Sequence, residues 1–181
     1  MNDYRELLLG CGHRRAKDIS TPAGKDFHNL TTLDYYEDAK PDVMFDLCAL
    51  NHKQRGRLPF EDSTFDEIHA YDVLEHTNWQ GDYEAFFYEF GEYFRILKPG
   101  GFLCATVPKT GSDHAWGDPG HRREINALTL VYLSHAKAAE QLGVTTITDY
   151  RRYAGETNFE CVHLQTGTDR FGFVLKSLKP A

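Results

Sequence analysis

The sequence predicts an α/β fold: a doubly wound, mostly parallel sheet that ends in an antiparallel hairpin. Three observations predict it. Short apolar runs at residues 7–9, 30–33, 42–45, 65–71 and 102–107 are separated by segments long enough for crossovers, and strands joined by crossovers lie parallel in one sheet. A helix signal over residues 82–97 joins the last two of these runs and stops at Lys98-Pro99-Gly100-Gly101. Near the end, residues 159–165 and 171–175 read as strands linked by the turn Thr166-Gly167-Thr168-Asp169, a link so short that the pair must be antiparallel.

The first run leads straight into Gly10-Cys11-Gly12, a turn whose glycines permit positive φ and close backbone approach. Residues 13–29 should hold the first crossover helix, yet they are polar and carry Pro22 and Gly24, which limit any helix to about two turns. That helix is therefore expected to be reduced to a loop. The second run ends at Asp34, the third at Asp46 and the fourth at Tyr71-Asp72. Ahead of and within the fourth, Glu61, Asp62, Asp66 and Glu67 read as solvent-facing, with Phe60, Phe65 and Ile68 buried. In the helix, Tyr83, Phe86, Phe87, Phe90, Phe94 and Leu97 recur at three- and four-residue spacing while Glu84, Glu89, Glu92 and Arg95 fill the other faces, so one face packs on the sheet. Residues 108–125 read as a loop rich in Gly, His and Asp. Asn126 then caps a helix over 127–142 that Gly143 closes, by the usual end signals.

With 181 residues, 41% apolar and 13% aromatic, the chain suits one domain, 1–181, with residues 108–153 as a substrate-facing insertion. A formal net charge of −7 disfavours nucleic-acid and anionic-membrane partners, since tracking phosphates takes clustered positive charge. Cys11, Cys48, Cys104 and Cys161 lie far apart with no CxxC pair and read as free thiols of a reducing compartment. No signal-peptide pattern and no apolar run of membrane length occurs, so a cytoplasmic protein is expected.

A first strand ending in GCG, an acid ending the second, LPFEDSTFDEI, the strand-end VLEH, RILKPGG and the closing hairpin together resemble the class I S-adenosylmethionine-dependent methyltransferases, particularly their small type-11-like group. The resemblance covers about residues 7–175. Its specific part is the ordered set over 58–101, because a lone GxG serves many nucleotide loops. Asp118-Pro119-Gly120-His121-Arg122 also resembles a segment of some members. The resemblance implies a Rossmann-like sheet with S-adenosylmethionine at the carboxyl ends of the strands, where open parallel sheets bind ligands. Gly10, Cys11 and Gly12 would then approach the methionine part and Asp34 both ribose hydroxyls. Asp46 and the Leu47 backbone would meet the adenine amino group, and Tyr71 and Asp72 would lie beside the reacting methyl. An Asp at a strand end also serves as a cap, so Asp72 alternatively caps a short helix at 73–76; His76 is expected to pack beneath the strand end. Leu8 and Arg14 stand where the family usually has an acid and a third glycine, with Glu6 two residues before Leu8.

The implied reaction is methyl transfer to an oxygen, nitrogen or sulfur nucleophile of a small or sugar-like molecule, or of an exposed polymer end. His114 and His121 are the candidate general bases, since an ordinary histidine pKa suits proton removal near neutrality. Trp116, His121 and Arg122 are the candidate substrate contacts. No metal site is expected, because Asp113-His114 and Asp118 to His121 supply no established ligand set. Residues 71–74 lack an Asn-Pro-Pro-Tyr type signature, which disfavours amino-methylation of DNA bases. Two alternatives are a noncatalytic binding module on the same fold and a nicotinamide-dependent oxidoreductase. The oxidoreductase predicts neither VLEH nor KPGG.

Overall fold

The computed structural model describes residues 4–180; residues 1–3 and 181 of the expected domain lie outside the described residues. Its strands are β1 (Glu6–Leu9), β2 (Leu30–Asp34), β3 (Val43–Met44), β4 (Phe65–Tyr71), β5 (Leu97–Pro108), β6 (Phe159–Thr166) and β7 (Arg170–Ser177). They form one sheet in the order β3-β2-β1-β4-β5-β7-β6. The first five pair in parallel, and β7 runs antiparallel to both β5 and β6. This is the predicted Rossmann-like sheet with its closing hairpin. Strand order reverses between β1 and β4, so the crevice suited to a ligand opens at their carboxyl ends.

Side chains alternate along the strands, and the two faces of the sheet are covered differently. One face is apolar: Leu7, Leu9, Ile68, Ala70, Leu103 and Phe173 belong to the main core together with Phe87, Phe90 and Phe94 of helix α1 (Tyr83–Ile96). Asp82 starts this helix by accepting from the Ala85 N–H at 3.1 Å. The other face carries Glu6, Glu67 and His69, all fully buried. No crossover helix covers them. Residues 13–29 cross this face as bends and turns, and the Lys17 ammonium inserts between the Glu6 and Glu67 carboxylates at 2.5 and 2.9 Å. Beside it, Ile19 packs on Cys104 and Val174.

Burial corrects four assignments. Glu67 is fully buried, because Lys17, His69 and Tyr4 each contact its carboxylate. Glu89 and Glu92 of α1 are also buried, whereas Tyr83 is 37% exposed. Glu89 accepts from Thr77, Asn78 and Tyr93 and pairs with Arg123 at 2.8 Å, while Glu92 pairs with Arg95 and accepts from the Leu58 N–H. Partners that are remote in sequence thus override the helical pattern.

The segment after β5 differs from the expectation in two places. Within the predicted loop lies a short helix, α2 (Asp113–Gly117). The single helix predicted over 127–142 is two, α3 (Ala127–Val131) and α4 (His135–Gln141). The Leu133 carbonyl between them accepts from the Phe159 N–H at the start of β6, and Asn158 accepts from the His135 N–H. Those bonds take the backbone out of the helical ladder, and Ser134 caps the second helix. Asn126 forms a capping box at the first, as its sequence position predicts. Helix α5 (Arg151–Ala154) precedes β6. No helix among the described residues is long and apolar enough to cross a membrane.

Candidate active site

A cavity of about 460 Å³ opens at the carboxyl ends of β1, β2 and β4, and Gly10, Asp34, Asp46, Leu47, Asp72 and His76 are in its wall. Gly10 has φ +55° and a Cβ there would stand 2.8 Å from Val73 Cβ and closer still to its Cγ2, so only glycine lets the turn lie this close to the end of β4. Asp34 is buried and its two carboxylate oxygens accept from the N–H groups of Gly12 (2.8 Å) and Tyr36 (2.9 Å). It therefore joins the glycine turn to the end of β2, with further lone pairs for a ligand. The Cys11 N–H is engaged by the Leu33 carbonyl at 3.2 Å. Arg15 holds the turn from its other side by donating to the carbonyls of Cys11, Gly12 and Ala39.

Asp46 is exposed and accepts from the Cys48 N–H at 2.8 Å, capping the 3₁₀ turn Leu47–Ala49. Asp72 adopts φ +50°, a conformation that costs a non-glycine residue energy and that surrounding contacts must impose. Its N–H donates to the Thr106 carbonyl, and its carboxylate accepts from the Thr106 hydroxyl and from Arg170. The alternative reading of Asp72 as a helix cap is corrected here: Val73 is the cap of the 3₁₀ turn Leu74–His76, with no side-chain bond. Tyr71 is turned to the opposite face, where its hydroxyl meets His69 Nδ1 at 2.7 Å and accepts from the Ile19 N–H. Burial raises its pKa. Cys11, Gly12 and Tyr71 are absent from the cavity wall, which instead includes Tyr35, Val73 and Cys48.

A second cavity, of about 690 Å³, adjoins the first through shared Asp72 and His76 and is walled also by Glu75, His114, His121 and Arg170. The structure thus brings His114 and His121 together on the side away from Asp34. Arg123 fixes the loop that carries His121. It is buried, paired with Glu89 of α1, and donates to the Leu74 carbonyl and the Thr77 hydroxyl. The N–H groups of Arg122 and Arg123 close on the Glu75 carbonyl. Arg122 faces the first cavity, with its guanidinium over the Trp79 ring at 5.0 Å and 3.2 Å from Cys48 Sγ. Trp116, on α2, is 57% exposed.

Two residues in this junction, His76 and Glu75, are not among the candidate catalytic or cofactor-binding residues of the sequence. His76 reaches Gly120 rather than packing beneath the strand end alone: its Nδ1 is 3.3 Å from that carbonyl, and its ring meets the His121 ring edge-on at 4.6 Å. Burial, then the neighbouring His121, lowers its pKa. Glu75 is buried, which pushes its carboxyl up to about 7. The available signal was an acid and a histidine directly following the buried Leu74.

The crevice at the strand reversal and the acid at the end of β2 are the arrangement at which open parallel sheets bind nucleotide-type ligands. The profile of the methyltransferase domain family matches residues 7–105, and the chain belongs to that family, with S-adenosylmethionine as its cofactor. A probable S-adenosylmethionine-dependent methyltransferase of Mycolicibacterium smegmatis is 27% identical over 133 residues, 70% of this chain and 48% of that protein. The chain thus spans about half the length of that relative. A methyltransferase structure from Archaeoglobus fulgidus superposes with a TM-score of 0.56 at 14% identity, covering 96% of this chain and 86% of that one. The trans-methyltransferase CalH, in complex with S-adenosylhomocysteine, gives 0.53 at 17% identity over 97% of this chain and 52% of that one.

Proposed function

We propose that the chain is an enzyme that transfers the methyl group of S-adenosylmethionine to an oxygen, nitrogen or sulfur nucleophile of a small polar molecule, a sugar-like one among them, or of an exposed polymer end. The observation that carries the reading is the pair of adjoining cavities. One holds Gly10, Asp34 and Asp46, the other holds His114 and His121, and Asp72 and His76 belong to both. The residues present fit the cofactor, since a close-approach glycine and a buried carboxylate end adjacent strands at one cavity. Asp34 would hold the ribose, Asp46 with Leu47 the adenine edge, and Asp72 the end nearest the acceptor. When bound, the cofactor supplies an electrophilic methyl on a sulfonium that is already a good leaving group. What remains for the protein is alignment, exclusion of water and, for a protonated acceptor, removal of one proton by a histidine of the second cavity. Residues 108–153 would supply acceptor specificity, with Arg122 in the wall of the first cavity and His114 and His121 in that of the second.

The test is calorimetric titration with S-adenosylmethionine, S-adenosylhomocysteine and NAD. The first two are expected to bind and NAD to give no heat. Asp34→Asn should weaken both by about 1–3 kcal/mol, the cost of a lost charged hydrogen bond. NAD binding alone would make the chain a nicotinamide enzyme, and silence toward all three would make it a noncatalytic module.

A further inference from the structure

We propose that Glu75, His76 and His121 bind a divalent transition-metal ion of borderline hardness, of the Zn²⁺ class, at the junction of the two cavities. Each offers one ligand atom, and these atoms lie within 4.8 Å of one another. Two imidazoles and one carboxylate are the donor set of zinc sites that keep an open position; the hard ions Mg²⁺ and Ca²⁺ take oxygen donors instead. Glu75 Oε1 is 3.9 Å from His121 Nε2. Ligand atoms around a tetrahedral ion with bonds near 2 Å stand about 3.3 Å apart, so a small side-chain rotation closes the set.

Three features distinguish this cluster from an accidental one. Glu75 is 2% exposed and its Oε2 is buried with no hydrogen-bond partner, an arrangement whose cost a cation would offset. His121 Nδ1 is 2.9 Å from the Ala115 carbonyl. A carbonyl only accepts, so Nδ1 carries the proton and the lone pair lies on Nε2, the nitrogen nearest Glu75. The chain segments bearing the ligands are also already clamped together, by the Arg122 and Arg123 N–H bonds to the Glu75 carbonyl and by Arg123 on Glu89. The other cluster of similar donors among the described residues, Glu6, Glu67 and His69, differs because the Lys17 ammonium already occupies it.

An ion here would present its open position to the cavity that contains His114 and would lower the pKa of an acceptor hydroxyl bound to it. Proton removal would then fall to His114. That role rests on the methyl-transfer reading; the binding of the ion does not.

The metal-free chain is titrated with Zn²⁺ by calorimetry and with Co²⁺ by visible absorption. One equivalent should bind, with cobalt d–d bands and no thiolate charge-transfer band. Glu75→Gln and His121→Ala, each checked for folding by circular dichroism, should weaken binding by about 100-fold or more. His163→Ala, which removes an exposed histidine of β6, should leave it unchanged. Absence of saturable binding, survival of binding in Glu75→Gln and His121→Ala, or a thiolate band would each overturn the site. The same samples are titrated with S-adenosylhomocysteine: failure of that ligand while the metal binds refutes the cofactor reading and leaves the metal site standing.

Discussion

Replacing Gly10 by alanine tests whether the glycine turn is held against the end of β4 by steric fit. Two costs are expected. Alanine at φ +55° enters the left-handed region, which costs an L-residue about 1–2 kcal/mol. The new methyl would also lie 2.8 Å from Val73 Cβ and closer still to Cγ2, and overpacking of that kind costs about 1–3 kcal/mol. Gly10→Ala should therefore lose about 2–5 kcal/mol in urea unfolding, where the backbone strain and the clash add. Gly12 is the internal control, with φ +48° and no atom within 4 Å of where an alanine methyl would stand, so Gly12→Ala should lose only the backbone cost of about 1–2 kcal/mol. Val73→Ala removes both Cγ methyls, the nearer of which makes the closest contact, and leaves only the Cβ contact at 2.8 Å. In a double-mutant cycle with Gly10→Ala it should return about 1–3 kcal/mol as a coupling energy. Equal losses for the two glycine variants, or a coupling near zero, would refute the close-approach argument.

Lys17→Met leaves the Glu6 and Glu67 carboxylates buried without their cation, and should lower the unfolding free energy by about 3–5 kcal/mol; a loss below about 1 kcal/mol in urea melts would mean that the ammonium is not structural. Burial alone would raise the Glu67 carboxyl, yet hydrogen bonds from His69, Thr21, Tyr4 and Lys17 together hold it well below the usual range. A depressed folded-state pKa contributes stability above the unfolded value of about 4.3 and loses it as pH falls further. Unfolding free energy should accordingly drop below about pH 4 in the wild type and more shallowly in Glu67→Gln, and parallel profiles would exclude this source of acid sensitivity. Arg123→Met strips Glu89 of its buried cation, and should cost about 3–5 kcal/mol while accelerating amide exchange at residues 118–123; unchanged exchange there would show that Arg123 does not anchor the loop.

The apolar half of the fold was legible in the sequence because its signals are local. Phe87, Phe90 and Phe94 repeat at helical spacing, and each strand of the parallel sheet is a short run bounded by glycine, proline or an acid. The same locality identified Gly10, Asp34 and Asp46 as strand-end residues, and all three share one cavity. Tyr71 lies off that cavity because period-two alternation continues to the end of β4. It shares the parity of Glu67 and His69, and so the polar face, while Asp72 departs from the strand through its positive φ. The single helix read over 127–142 failed for a non-local reason. Nothing within that segment announces that Leu133 will be bonded to Phe159.

The polar face of the sheet explains why the missing first helix does not leave the glycine turn unsupported. Glu67 reads as a surface acid until it meets Lys17, 50 residues away, and no local pattern encodes that pairing. Once it forms, residues 13–29 are fastened to the sheet by ions rather than by an apolar helix face. Arg15, from the same segment, then ties the carbonyls of Cys11, Gly12 and Ala39 together. The segment therefore performs the positioning task of a crossover helix, but without a helix N-terminus directed at the crevice. The Cys11 and Gly12 N–H groups are engaged by the Leu33 carbonyl and the Asp34 carboxylate, and neither Cys11 nor Gly12 belongs to the cavity wall. The charge and hydrogen-bonding capacity of that cavity instead reside in Asp34, Asp46, Asp72, His76 and Arg122, which is why side-chain substitutions there should act on ligand affinity more strongly than changes in the glycine turn that leave the fold intact.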